Sequence, residues 1–292
     1  TPAPIRIHSD SGDATIRLAA GSGYDVSIET DHGNVRIPAL ENQQSSGGRI
    51  RGRLRGGGPL VEARTDHPLG RLACGEGWTL ALGAERGPEA PVEIVHIATG
   101  GANHLAGRIA MQADSHATLV ETYVGEGWSN RLTRIALGHS ARLMRAVRLM
   151  QGNGFQSLRE EATLHEGASL VSTFLGAGRA DTRIDAAVGI EGKGGYAEIG
   201  GALLARARQR HEAAIVVRHA EELGTSRQLW RAVADGEAAA SLAARVEVAP
   251  HAQKTDGEQS LRGLLLQRSA TINLKPELEI YADDVKFAHG PT

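Results

Sequence analysis

Aromatic residues make up only 3% of this 292-residue chain, so its core has to be built from small aliphatic side chains. A single cysteine, Cys74, excludes an intramolecular disulfide framework and fits a reducing compartment, with the cytoplasm as the default location. Lysine occurs only at 193, 254, 275 and 286, and the formal net charge is −2, so there is no electrostatic case for nucleic acid or an anionic membrane. No apolar run approaches the ~18 residues of a membrane span, and no basic region followed by an apolar stretch opens the chain. The sequence begins at Thr1 without an initiating Met and stops at Thr292, which is compatible with a piece of a longer protein.

Familiar catalytic motifs are missing too. The only Gly-Lys pair, Gly192-Lys193, has Ala187 where a P-loop needs its first Gly and Gly194 where it needs Ser or Thr. Gly138-His139-Ser140-Ala141-Arg142 lacks the last Gly of a nucleophile elbow, and no His-Glu-x-x-His occurs. Cys74 could be a nucleophile or a metal thiolate, though a free cysteine is more often a small structural hydrophobe. His211 and His219 would share one face of a continuous strand, as paired ligands do, but without a thiolate or clear carboxylate partner they read as solvated histidines.

What is present is glycine, 37 copies of it, and short alternating segments. Residues 1–90 read as short strands and turns, for example around Ile5, Ile7 and Ile16; the Gly- and Arg-rich stretch from Ser46 to Pro59 is either a linker or a long loop and is the best candidate internal boundary. From about residue 100 a small or polar turn is followed by Ala, a variable residue and an aliphatic. Instances are His116-Ala117-Thr118-Leu119, Ser140-Ala141-Arg142-Leu143, Gly167-Ala168-Ser169-Leu170 and Gly195-Tyr196-Ala197-Glu198-Ile199, with turns 24, 27 and 28 residues apart. A period in the twenties marks units that must stack to bury their apolar faces, and with strand-like units that means a β-solenoid.

Helix is the rival over residues 197–223 and 231–245, which are rich in Ala, Leu, Arg and Glu. Gly200-Gly201, Ile215-Val216-Val217 and the turn-like Asp235-Gly236 favour strands there. The clearest strand places Ile272, Leu274, Leu278 and Ile280 on one face. Pro276, on the same parity, predicts an edge or a bulge, and an edge is open to a partner. Asp283-Asp284 makes a turn before alternation resumes through Val285, Phe287 and His289. His289 could ligate iron through a neutral imidazole, or be an ordinary surface residue.

The segment from Lys275 through Pro276-Glu277-Leu278-Glu279-Ile280-Tyr281-Ala282-Asp283-Asp284-Val285 to Lys286, followed by His289-Gly290, resembles the end of the core in the SufB/SufD family. His251-Ala252-Gln253-Lys254-Thr255-Asp256, Glu258-Gln259, Arg262 and Leu264-Leu265-Leu266 resemble the turn preceding it. The likeness is good over about residues 220–290, fair back to about residue 90, and poor before that.

The resemblance implies an all-β fold, a right-handed parallel β-helix, with residues 91–292 as the core, residues 1–90 as a divergent N-terminal β part, and the family's terminal helical regions largely absent. It implies a non-catalytic scaffold subunit that pairs with a SufB-type subunit and a SufC-type ATPase to build and transfer nascent iron–sulfur clusters. His289 is then a ligand to iron or to a transient cluster at the partner interface, with Glu279, Tyr281, Asp283, Asp284 and Lys286 lining that interface.

Two departures matter. Phe287 stands where relatives often carry a cysteine, and the chain stops before the helical segment that contacts SufC; if that segment is truly missing, ATPase binding is in doubt. Clusters are typically held by four cysteine thiolates, so a chain with one cysteine is expected to hold none tightly by itself. A homodimer stacked across the terminal edge is compatible with this picture. The alternative function is a β-helical carbohydrate-active enzyme, a polysaccharide lyase or hydrolase, which would need carboxylates and bases clustered on one solenoid face.

Overall fold

The computed structural model describes residues 77–288 with their side chains, the backbone of residues 289–291, and the backbone of six short strands nearer the N-terminus. Those six are β1 (Ile5–His8), β2 (Asp13–Arg17), β3 (Tyr24–Thr30), β4 (Glu41–Ser46), β5 (Arg49–Leu54) and β6 (Leu60–Thr65). All but β2 form one mixed sheet in the order β1-β6-β3-β5-β4. The stretch from Ser46 to Pro59 therefore contains a strand: β5 runs antiparallel to both β3 and β4, so its Arg-rich half is neither linker nor loop. Gly56-Gly57-Gly58 and Cys74 lie outside the described residues.

From residue 77 onward the chain is strand and turn throughout. The strands are β7 (Gly77–Leu82), β8 (Val92–Met111), β9 (His116–Leu137), β10 (Arg142–Leu149), β11 (Asn153–Leu164), β12 (Ser169–Gly176) and β13 (Asp181–Ile190). They continue as β14 (Tyr196–Ala205), β15 (Arg210–His219), β16 (Thr225–Ala234), β17 (Ala239–Val248), β18 (Thr255–Leu265), β19 (Thr271–Ile280) and β20 (Val285–Pro291). The segments that propensity alone would make helical are β14 to β17. Among the described residues no helix is long and apolar enough to cross a membrane.

The strands pair in parallel along two stacks. One runs through β10, β12, β14, β16, β18 and β20, the other through β11, β13, β15, β17 and β19. β8 and β9 are long enough to serve both, bending at Gly100-Gly101 and at Gly125 and Gly127, all four with positive φ. A Cβ on Gly127 would sit 2.5 Å from the Gly101 carbonyl oxygen, so this corner closes only with glycine. The result is a parallel β-solenoid of about eight turns, with strand β2 lying antiparallel on the first half of β8.

Each strand alternates because one face looks into the space between the stacks. On β17, Ala240, Leu242, Ala244, Val246 and Val248 are all buried and their neighbours are not. The shortage of aromatics follows from this narrow interior, and one pair is accommodated by a glycine. Phe174 and Trp230 stack at 5.8 Å although Gly201 stands between them in the ladder, because a residue without a side chain lets two rings close across its rung.

One corner repeats the same backbone conformation in seven successive turns. Glu85, Asp114, Ser140, Gly167, Gly194, Leu223 and Lys254 all take φ between 52° and 68°. Ser140 N donates to Glu166 O, Gly167 N to Lys193 O, Gly194 N to Glu222 O and Leu223 N to Gln253 O, so each turn satisfies the next. The sequence recurrence marks this corner, but two of its instances are two residues out of register. Ala141 and Ala168 share a column, whereas Ala117 and Ala197 fall in the column of Leu143 and Leu170. The first step is 26 residues, from His116 to Arg142, rather than 24.

Candidate functional site

The last turn of the solenoid is unfinished. Among the described residues β19 pairs only with β17, and β20 only with β18, which leaves a free edge on both. No residue of β19 is fully buried; Pro276 costs the strand one donor beside Ala244, a loss tolerable at an edge and not in a central ladder. Leu278, Val285 and Phe287 cover the end of the core only partly, over Val246, Val248, Ala252 and Ala282. Pairing of β20 with β18 stops at Leu261, and beyond it Leu264, Leu265 and Leu266 are 56%, 50% and 57% exposed, as is Tyr281 at 66%.

The residues expected to line an interface all lie on this turn. Glu279 accepts from Arg245 Nη1 at 3.2 Å, and Tyr281 N donates to Val248 O at 3.0 Å. Asp284 N donates to Gln253 Oε1 and its carbonyl accepts from Lys254 N, fixing the turn in which Asp283 is exposed; Lys286 follows on β20, also exposed. β20 places residue 289 opposite Gln259; the side chain of His289 lies outside the described residues. Phe287 is an inward packing residue. Its ring occupies the space over Gly257, where a Cβ would approach it to 2.0 Å, and meets His219 edge-on at 6.4 Å.

A second concentration of chemistry, inside the early turns, is not among the sequence candidates. Arg145 on β10 donates from Nε to Glu121 Oε1 at 2.5 Å and from Nη1 to Glu160 Oε1. Tyr123 Oη donates to Glu121 Oε2 at 2.6 Å, and His96 Nε2 lies 3.2 Å from the same oxygen. All are buried, and Arg131 lies over the Tyr123 ring. Burial alone would raise the Glu121 carboxyl, but Arg145 and His96 outweigh it and hold it at about 2. Burial raises Glu160, with Arg145 only partly opposing. It lowers His96, so that His96 is neutral and donates from Nε2 to an ionised Glu121. Arg145 shares the parity of Leu143, Val147 and Leu149, a signal in the sequence that would have marked it as inward.

His211 and His219 do share one face of β15, but that face is the core: both are fully buried, not solvated. His219 Nε2 is 2.8 Å from Ser226 Oγ, and desolvation lowers its pKa to about 4. Among the described residues no group of three or more His, Cys, Asp or Glu could hold a metal ion. Several half-buried acids are committed to arginines: Glu161 to Arg134 and Arg159, and Asp185 and Glu212 to Arg183. Glu121 and Glu160, the two carboxylates that share Arg145, are buried rather than set in an open cleft.

Comparison with known proteins agrees with the geometry. The family model described as SUF system FeS cluster assembly, SufBD core domain, matches residues 96–292. The iron-sulfur cluster assembly protein SufD of Escherichia coli is 42% identical over 74 residues, 25% of this chain and 18% of that protein. A SufBD family protein of Synechocystis is 44% identical over 69 residues, 24% of this chain and 15% of the relative. The chloroplastic protein ABCI7 of Arabidopsis thaliana is 47% identical over 68 residues, 23% and 14% of the two chains. The aligned stretch thus spans less than a fifth of each relative's length. Since the family match takes in all the solenoid from β9 onward, including the ionic cluster and the open end, the chain belongs to the SufBD core-domain family of the SUF system for iron–sulfur cluster assembly.

Proposed function

We propose that this chain is a non-catalytic scaffold subunit that pairs with a SufB-type subunit through the β19–β20 end and, with a SufC-type ATPase, builds and transfers nascent iron–sulfur clusters. The observation that carries the reading is the unfinished last turn: two free strand edges, a half-covered apolar core and exposed Leu264, Leu265, Leu266 and Tyr281. Such an end favours strand addition by a partner, with Glu279, Asp283, Asp284 and Lys286 on its rim.

His289 then supplies a nitrogen ligand to iron or to the forming cluster, which is cargo rather than a resident cofactor. With one cysteine in the whole chain, and Phe287 in place of a family cysteine, the thiolates come from the SufB-type partner. The site exists only where the two subunits meet.

Anaerobic reconstitution with SufB- and SufC-type partners, comparing the native chain with His289→Ala, tests the assignment. Loss of cluster yield with the complex intact is expected. Unchanged yield would overturn the ligand role, and a complex that no longer assembles would make His289 a contact residue instead.

A further inference from the structure

The outward face of the second stack is laced with ion pairs. Arg183 is held by Asp185 and Glu212, Arg245 by Glu247 and Glu279, and Lys275 by Glu277. The balance fails over the first turns. Arg108 on β8 stands in register with Arg134 on β9, which is in register with Glu161 on β11. Glu161 accepts from Arg159 Nε at 3.1 Å and from Arg134 Nε at a looser 3.4 Å. Asp185, in register with Arg159, is already committed to Arg183. Arg108 makes no ion pair among the described residues, and its neighbour on the other side of the ladder is Thr79. Three guanidiniums therefore share one carboxylate, and two of them sit one strand spacing apart, ~4.8 Å, where like charges repel.

There is room beside them for a counter-charge. Arg108 and Arg134 line a groove of 390 Å³ on this face, together with Thr163 and an apolar floor that includes Ala106, Leu132 and Ala136. Both arginines are exposed there. Guanidinium forks match the oxygens of an oxyanion, and the Thr163 hydroxyl is a further donor. Three cations against one carboxylate leave two positive charges. A phosphate monoester, at about −1.5 to −2 near neutral pH, matches that; a single carboxylate does not. An apolar surface with a few placed charges is the usual make-up of a small-molecule site of this size.

We propose that this groove binds a small organic phosphate. Arg108 and Arg134 hold the oxyanion, Thr163 donates to it, and the organic part lies over Ala106, Leu132 and Ala136. The site is built on β8, β9 and β11, at the opposite end of the stack from β19 and β20, and does not depend on the roles proposed for that end.

Phenyl phosphate titrated into the whole chain, followed through the arginine Nε–H signals in 15N NMR, tests the site; Arg108→Gln and Arg134→Gln identify the signals. Arg108 and Arg134 should shift together and saturate, while Arg208, 89% exposed in the turn before β15, should not. Arg108→Gln, read at Arg134, should weaken binding roughly 10-fold or more, the worth of a charged hydrogen bond. Inorganic phosphate should bind more weakly, having nothing to lay on the floor, and so should benzoate, having less charge. The absence of a saturable shift, equal shifts at Arg208, or an affinity that Arg108→Gln leaves unchanged would reduce the effect to adventitious screening and overturn the site. Benzoate binding as tightly as phenyl phosphate would overturn the phosphate assignment, and inorganic phosphate doing so would overturn the role of the floor.

Discussion

With Glu121 and Glu160 both held by one guanidinium, Arg145→Met would leave two buried carboxyls without their cation. Removing one partner of a buried pair costs about 3–5 kcal/mol, because the remaining charge has no water to turn to. Chemical denaturation should show that loss, and Arg145→Met combined with Glu121→Gln and Glu160→Gln should recover part of it, because the neutral amides need no cation and still offer an acceptor to Tyr123 and His96. The buried histidines give a pH dependence. His219 is neutral in the folded chain, with a pKa of about 4 against an ordinary 6.5. Its contribution is therefore complete above about pH 6.5 and is lost as pH falls towards 4, by about 3 kcal/mol at about 1.4 per unit. Burial lowers His96 and His211 in the same sense, whereas the raised Glu160 works the other way. His219→Gln should flatten the fall in denaturation midpoint between pH 6.5 and 4. At this scale parity was legible and environment was not: alternation put His211 and His219 on one face, but only the stacking of β15 between β13 and β17 says that the face is the core.

The corner column shows why the repeat is faint in the sequence. Glu85, Asp114, Ser140, Gly167, Gly194, Leu223 and Lys254 share a backbone conformation and nothing else, so no single residue type marks the turn. Steps between partners also drift, from 27 between Arg142 and Ser169 to 31 between Thr225 and Asp256. The left-handed region costs an L-residue about 1–2 kcal/mol, and glycine nothing comparable. Leu223→Gly should therefore stabilise the protein by about 0.5–1 kcal/mol net of chain entropy. Gly194→Ala, with no atom within 4 Å of the new Cβ, should cost about 1 kcal/mol through backbone alone. Urea denaturation of the two variants checks both signs. Strands β14 to β17 were legible against their helix-forming composition because Gly200-Gly201 and Asp235-Gly236 interrupt the helical reading where the structure has an irregular strand and a turn.

In a solenoid each turn leans only on its neighbours, so the last turn is the least supported part of the stack and the part a partner can complete. The edge character of β19 could be read from Pro276, and the terminal motif placed Tyr281, Asp283 and Asp284 beside it. The interior ionic cluster went unread, because its members come from strands β8 to β11 and meet only when the two stacks close. Tyr281→Arg or Leu265→Asp should weaken binding of a SufB-type subunit while changing stability by no more than about 0.5 kcal/mol, since both side chains are exposed. The most direct measurement is hydrogen exchange of the whole chain with and without the SufB-type subunit. Completion of the solenoid predicts slowed amide exchange concentrated over residues 255–291, with the earlier turns unchanged. Protection confined to other turns, or none on mixing, would contradict it.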